Sequence, residues 1–383
     1  MSAVSVSPQI IRWARERAGL STAALVEHFP KYEQWEAGEK APTLHQLEKL
    51  AQRTLTPLGY FFLPEPPEET LPVPDFRTVR DRGVRRPSPN LLETIQTMQR
   101  RQDWLRDYLR EAEQPALEFV GTATVGDEPI AIAARVRDVL ELTADWAQSY
   151  ATWSDALRAL RRAIEAIGVM VVINGVVGNS TRRKLDPNEF RGFVLPDRWA
   201  PLIFVNGVDA KAAQMFTLAH ELAHLWLGQG GVFGLTDMQP ADDLAERWCN
   251  LVAAELLVPE AEMKRLWPEA DRSQEPFQVL ARRFKVSPLV AARRALDLRL
   301  ISRDGFFSYY NHYLEDERRQ AERRPSGGDF YLTQEVRIGR RFGEMVVRAA
   351  REGHVLYQEA YRLTGLYGAT FDRYAKGLEG IGA

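Results

Sequence analysis

Met215 to Gly228 reads MFTLAHELAHLWLG, and three of its side chains could do chemistry together: His220, Glu221 and His224. The chain has only six histidines, yet two stand four residues apart, with a carboxylate beside the first, inside an otherwise apolar run. On an α-helix, residues i and i+4 share a face at roughly 5–6 Å. Two imidazoles can therefore reach one ion while Glu221 flanks it without ligating. Zinc suits imidazole, and its catalytic sites take three protein ligands and keep a position open for water. Such a water has a pKa of about 7, and a neighbouring carboxylate takes its proton as it attacks a carbonyl. Without a metal, the same residues are merely partly buried polar groups, which are costly inside an apolar helix unless partnered. The metal reading accounts for all three residue types.

A third ligand must come from elsewhere. Downstream lies DDLAERWCNLVAAELLVP, Asp242 to Pro259, in which Leu244, Trp248, Leu251 and Val252 mark an amphipathic helix. Glu246, 22 residues beyond His224, shares a face of that helix with Asn250 at i, i+4. A His/His/Glu set is a known type of catalytic zinc triad. On spacing alone Asp242, Asp243 and Glu255 stay open beside Glu246. Cys249 reads as a small half-buried filler, since unpaired cysteine behaves as a small hydrophobe. His28, His45, His312 and His354 read as surface or packing residues.

The elements that must position these groups are mostly helical. PQIIRWARERAG, STAALVEHF and PTLHQLEKLAQ read as short helices, with Ser21 a candidate N-cap and Leu44, Leu47, Leu50 and Ala51 facing inward. Pro64, Pro66, Pro67, Pro72 and Pro74 then impose an extended connector, whose second half carries Arg77, Arg80, Arg82, Arg85 and Arg86. It reads as a solvated linker, with a nucleic-acid or partner contact as the alternative. Long helices are expected over Asn90–Glu113 and Ile130–Leu142. GVMVVI (168–173), FRGFVL (190–195) and PLIFVN (201–206) read as strands, the last two as an antiparallel pair. Helices resume from Ala210, and the charged stretch Tyr313–Gly328 separates a last helical unit.

Bulk properties exclude several classes. At 383 residues the chain exceeds one ordinary core, and two or three domains are expected. Hydrophobic content of 45% with 27% charge is that of a globular protein, and a net charge of −2 gives no basic field for nucleic acid or an anionic membrane. One cysteine excludes an internal disulfide and fits a reducing compartment. The N-terminus lacks an apolar signal core, no run reaches membrane-spanning length, and a cytoplasmic location is expected.

FTLAHELAHLWLG followed by AERWCNLVAAELLVP resembles the ImmA/IrrE family of bacterial zinc metallopeptidases, whose second motif runs E-x-x-x-N-x-x-A-x-x-L-L-x-P. Here Glu246, Asn250, Ala253, Leu256, Leu257 and Pro259 meet it, and Cys249 stands where a small residue such as alanine is expected. EFRGFVLPDRWAPLIFVN and GGDFYLTQEVRIGRRF also look like segments of the longer bacterial members, so the likeness covers most of the chain. The resemblance implies one Zn2+ per chain held by His220, His224 and Glu246, with Glu221 as catalytic base. It further implies a protein substrate, a helix-turn-helix repressor or antitoxin, cleaved to derepress stress-response or mobile-element genes. An extended substrate segment adding as a strand beside Phe190–Leu195 or Pro201–Asn206 would bring its peptide bond over the metal.

GLSTAALVEHF and WEAGEKAPTLHQLEKLA resemble the opening and tail of an Xre-type helix-turn-helix domain, which places its third helix in the major groove. The stretch between Ser21 and Trp35 is shorter than that pattern, so the recognition helix looks truncated. Lys31, Tyr32 and Gln34 are the candidate contacts to operator DNA or to a partner. From Pro8 to Arg53, seven Lys/Arg face six Asp/Glu, which is no electrostatic footprint for DNA. A protein-docking module is the alternative.

The expected fold is therefore α+β and mainly helical. It comprises a helix-turn-helix-like bundle (1–63), a Pro/Arg-rich linker (64–89), a zincin-like metallopeptidase domain with a small antiparallel sheet (90–303) and a C-terminal helical domain (304–383). The expected function is zinc endopeptidase. The alternatives are a DNA-binding regulator whose zinc domain is a sensor or scaffold, and a zinc hydrolase of a non-peptide amide. Glu221 separates the first two, because a purely structural zinc site needs no free carboxylate.

Overall fold

The computed structural model describes residues 3–69, 87–233, 243–315 and 330–379. Described residues up to Gln96 form one compact unit, and those from Thr97 on form a second. Most of the Pro/Arg-rich linker and of the Tyr313–Gly328 segment lies outside the described residues.

The first unit is made of α1 (Pro8–Arg17), α2 (Thr22–Val26), α3 (Tyr32–Glu36) and α4 (Leu44–Arg53), followed by a 3-10 turn at Leu58–Phe62. Pro8 occupies the start of α1, where its missing N–H costs nothing. Ser21 Oγ accepts the Ala24 N–H at 3.2 Å to open α2, and Thr43 with Gln46 forms a capping box on α4. Helices of five residues do not persist alone. Burial of Leu25, Phe29, Tyr32 and Trp35 against Ile10, Ile11 and Leu47 holds them.

Two expectations fail here for the same reason, that packing decides which side of a short helix is inside. Leu44 is 46% exposed, because it begins α4 and the buried stripe starts at Leu47. Tyr32 is buried and donates its hydroxyl to Ile11 O at 3.2 Å, so it is a core residue and is not available to touch DNA or a partner. Lys31 is exposed and Gln34 half-buried. Glu36 is held by Arg15 at 2.8 Å and Arg12 at 3.1 Å.

α5 (Pro89–Glu111) begins in the first unit and runs from Thr97 in the second, where α6 (Pro129–Val139) and α7 (Trp153–Ala166) precede a four-stranded sheet. Its strands are β1 (Met170–Asn174), β4 (Gly192–Leu195), β5 (Leu202–Asn206) and β6 (Gly231–Phe233), in the order β1-β5-β4-β6. β2 (Val176–Val177) and β3 (Ser180–Lys184) form a separate hairpin. The expected antiparallel pair is present, with Phe193 opposite Phe204 and their rings stacked at 4.9 Å. The sheet is mixed, not wholly antiparallel, because β1 pairs with β5 in parallel. β4 and β5 each have a partner on both sides, so neither offers an edge to a substrate strand, contrary to expectation. Every residue of β1, β4 and β5 is buried, as in a sheet covered on both faces. Gln102 of α5 secures the β4–β5 connection by donating to Leu195 O at 2.8 Å and Ala200 O at 2.9 Å.

Helices α8 (Lys211–Leu227), α9 (Leu244–Leu257), α10 (Glu260–Ala270), α11 (Pro276–Phe284), α12 (Pro288–Asp297) and α13 (Arg303–Glu315) follow, then helices at Phe330–Ile338, Arg340–Glu352, Tyr357–Thr364 and Ala369–Glu379. The first two of these last helices pack on β1. Gly339, at φ +84°, joins them where a Cβ would stand 3.0 Å from Val171 O. Among the described residues, no helix is long and apolar enough to cross a membrane.

Candidate metal centre

α8 is buried almost all round from Gln214 to Trp226, because β4, β5, α7 and α9 pack about it. Gly228, left-handed at φ +66°, ends it. A helix in that position must be apolar on every side. His220, Glu221 and His224 are at most 2% exposed, and each therefore needs a partner.

α9 supplies two. Its first turn is fixed by Asp243, whose Oδ1 accepts the Ala245 N–H at 2.7 Å and the Glu246 N–H at 3.2 Å. Glu246 then projects onto α8, with one carboxylate oxygen 3.2 Å from His220 Nε2 and the other 3.0 Å from His224 Nε2. The two Nε2 atoms are 3.1 Å apart. One turn later on α9, Asn250 Oδ1 lies 3.1 Å from His220 Nδ1. A carbonyl can only accept, so that bond puts the ring proton of neutral His220 on Nδ1 and leaves a lone pair on Nε2. The carboxylate of Glu246 and the His220 lone pair thus converge with a second imidazole nitrogen upon one point. Such a convergence of acceptors repels unless a cation lies between them.

The electrostatics agree. Burial lowers the proton affinity of His220 and keeps it neutral. Burial pushes Glu246 up, but the two imidazoles that face it, hydrogen-bonding and charged whenever they are protonated, outweigh burial and bring the carboxyl down to about 2. Glu221 is pushed well above the usual carboxylate range by burial, and then by the charge of Glu246. Neither Glu221 oxygen has a hydrogen-bond partner among the described residues. Glu221 sits against β4, where a Cβ on Gly192 would stand 3.0 Å from its Oε1.

His220, His224 and Glu246 form a set that could hold a metal ion, with one donor atom from each lying within 4.8 Å of the others. Two imidazoles and a carboxylate are the donor set zinc takes at catalytic sites. The unpartnered Glu221 carboxylate beside them fits a water at an open position. Of the other candidates, Asp243 is the α9 cap, and Glu255 pairs with Arg294 and accepts the Glu260 N–H at 3.1 Å. Asp242 lies outside the described residues.

Cys249 is fully buried, not half-buried, and burial raises its thiol well above the ordinary range. Leu244 and Leu251, expected inside, are 68% and 43% exposed, because the buried stripe of α9 runs through Ala245, Trp248, Cys249 and Val252. His28, His45, His312 and His354 are all exposed. Sequence reasoning placed Asn250 on the face of Glu246 without giving it a task. Gly192 had no local signal at all.

Residues 164–296 match a peptidase family model described as the IrrE N-terminal-like domain, a segment that holds β1 to β6, α8 and α9. The chain therefore carries a metallopeptidase domain of the IrrE/ImmA kind. Residues 338–377 match a domain of unknown function. A comparison with curated proteins found no match.

Proposed function

We propose that the chain is a cytoplasmic zinc endopeptidase that cuts a regulatory protein, a helix-turn-helix repressor or antitoxin, and so releases stress-response or mobile-element genes. The observation that carries this reading is the meeting of His220, His224 and Glu246 beside a carboxylate with no hydrogen-bond partner among the described residues. Bound there, zinc would acidify a water to a pKa of about 7 and polarise a peptide carbonyl. Glu221 takes the proton at a carboxylate oxygen, its proton affinity raised by the dry wall of α8 and β4, and delivers it to the departing amine nitrogen. Glu246 stays ionised throughout and supplies negative charge among the ligands. A scaffold role for the metal leaves Glu221 without a purpose, which is why the peptidase reading is preferred to a sensor. Operator DNA as a ligand of the first unit draws no support from Tyr32, which is buried.

The test separates metal from chemistry. Glu246→Ala should lose stoichiometric zinc by elemental analysis. Glu221→Gln should keep zinc and lose cleavage by about 10²–10⁴-fold or more. The substrate should then emerge as new protein N-termini in cells making the wild-type chain and not the Glu221→Gln chain. Full activity in Glu221→Gln would remove it as the base.

A further inference from the structure

Asn250 has a tighter relation to His220 than packing requires. It lies four residues after Glu246 on α9, so one helix face carries both the carboxylate and the amide. Its Oδ1 stands 3.1 Å from His220 Nδ1, while Nε2 of the same ring faces Glu246 and His224. His220 is 0% exposed, so no bulk water can stand in for the amide. The two ring nitrogens are linked, since the proton that one holds decides what the other can do.

We infer that Asn250 is the positioning residue of this centre: its side-chain carbonyl locks His220 in the tautomer and rotation that aim Nε2 at the ion. The inference rests on the metal reading of the site. Without Asn250 the buried Nδ1–H loses this acceptor, and the ring can move its proton to Nε2 or turn away, either of which removes a ligand. An amide does this without adding charge. Because Glu246 and Asn250 ride on the same turns of α9, and Asp243 fixes where those turns begin, α9 sets a ligand and the orientation of another ligand in one docking event.

The experiment uses the full-length protein and measures zinc affinity by competition with a chromogenic chelator. Asn250→Ala should weaken zinc binding about 10–100-fold, the usual effect of removing a group that orients a metal ligand. Asn250→Asp keeps an acceptor of nearly the same shape, and should restore affinity to within about threefold of wild type or tighten it. Cobalt-loaded Asn250→Ala should show an altered visible spectrum, and Asn250→Asp one close to wild type. Zinc affinity within about threefold of wild type in Asn250→Ala, or an Asn250→Asp protein as weak as Asn250→Ala, would overturn the inference. If Asn250→Ala fails to fold, the affinity and spectrum of Asn250→Asp still decide it. Wild-type protein that binds no stoichiometric zinc defeats the metal reading itself. Wild type that binds zinc beside an unaffected Asn250→Ala defeats only the role of the amide.

Discussion

Glu221, with no hydrogen-bond donor among the described residues and walled in by a helix and a strand, has the surroundings of a proton acceptor. Gly192 makes that wall possible. A methyl at position 192 would stand 2.6 Å from Thr217 Cγ2, 2.8 Å from Phe204 O and 3.0 Å from Glu221 Oε1. Gly192→Ala should therefore cost about 1–3 kcal/mol, read as a lower melting temperature, and should lose cleavage while zinc stays bound. Unchanged melting with full cleavage would show that β4 simply gives way. A second substitution tests a core contact. Tyr32→Phe removes the hydroxyl's bond to Ile11 O and its interaction with Glu36, and should cost about 0.5–1.5 kcal/mol in chemical denaturation. At this scale much of the centre was legible, because His220, Glu221 and His224 lie within five residues of one helix, where periodicity speaks. Glu246 was not fixed by spacing. Asp243 differs from it through a local N-cap bond to Ala245 and Glu246, and Glu255 through Arg294, a tertiary partner that no local pattern carries. Tyr32 misled for a related reason, since an aromatic on a five-residue helix can face either way until its neighbours are known.

Elements explain the next layer of success and failure. The apolar runs of β1, β4 and β5 announce themselves because both faces are covered, and the β4–β5 pair is joined by a short turn that forces antiparallel pairing. The parallel alignment of β1 with β5 depends on a long connection and was not readable. β6 is three residues long beside Gly228 and Gly230, so it has no strand pattern to detect. The contact of α7 with the last helices yields a pH prediction. Glu165 accepts the Arg340 N–H at 3.0 Å and pairs with Arg161, which reaches Glu335 at 3.0 Å. Burial raises Glu165 from 4.5 to about 7, against the pull of Arg161. In that interval the folded chain holds a proton that the unfolded chain has released. Stability should accordingly be greatest below the unfolded value and decline as pH climbs through about 7. The span is at most on the order of 3 kcal/mol. Glu165→Gln should flatten this slope in urea midpoints taken at acid and mildly alkaline pH, and an unaltered slope would assign it to other groups. Arg294 gives a simpler test. It is buried with Glu255 and donates to Val258 O at 3.0 Å, tying α12 to the end of α9, and Arg294→Met should cost about 3–5 kcal/mol.

The molecule as a whole joins a unit of short helices to a larger unit with the metallopeptidase domain. Around α2 and α3 the exposed charges are Glu27, Glu33 and Glu39 against Lys31 and Lys40. Phosphate contacts drive duplex binding, so affinity at physiological salt should be no better than the non-specific range of about 10⁻⁴–10⁻⁶ M. Fluorescence anisotropy with operator and scrambled duplexes checks this, and nanomolar binding to either would refute it. Periodicity, not composition, foretold a mainly helical chain, and within residues 338–377 the helix at Arg340–Glu352 packs on β1.

His220, Glu221, His224 and Glu246 are no more than 4% exposed. On the proposed reading a substrate peptide needs more access than that, so turnover should wait on an opening. The same constraint governs the ion. Zinc should leave at a rate set by the protein's own breathing, indifferent to how much chelator is added, and anything that eases the opening should quicken metal loss and proteolysis together.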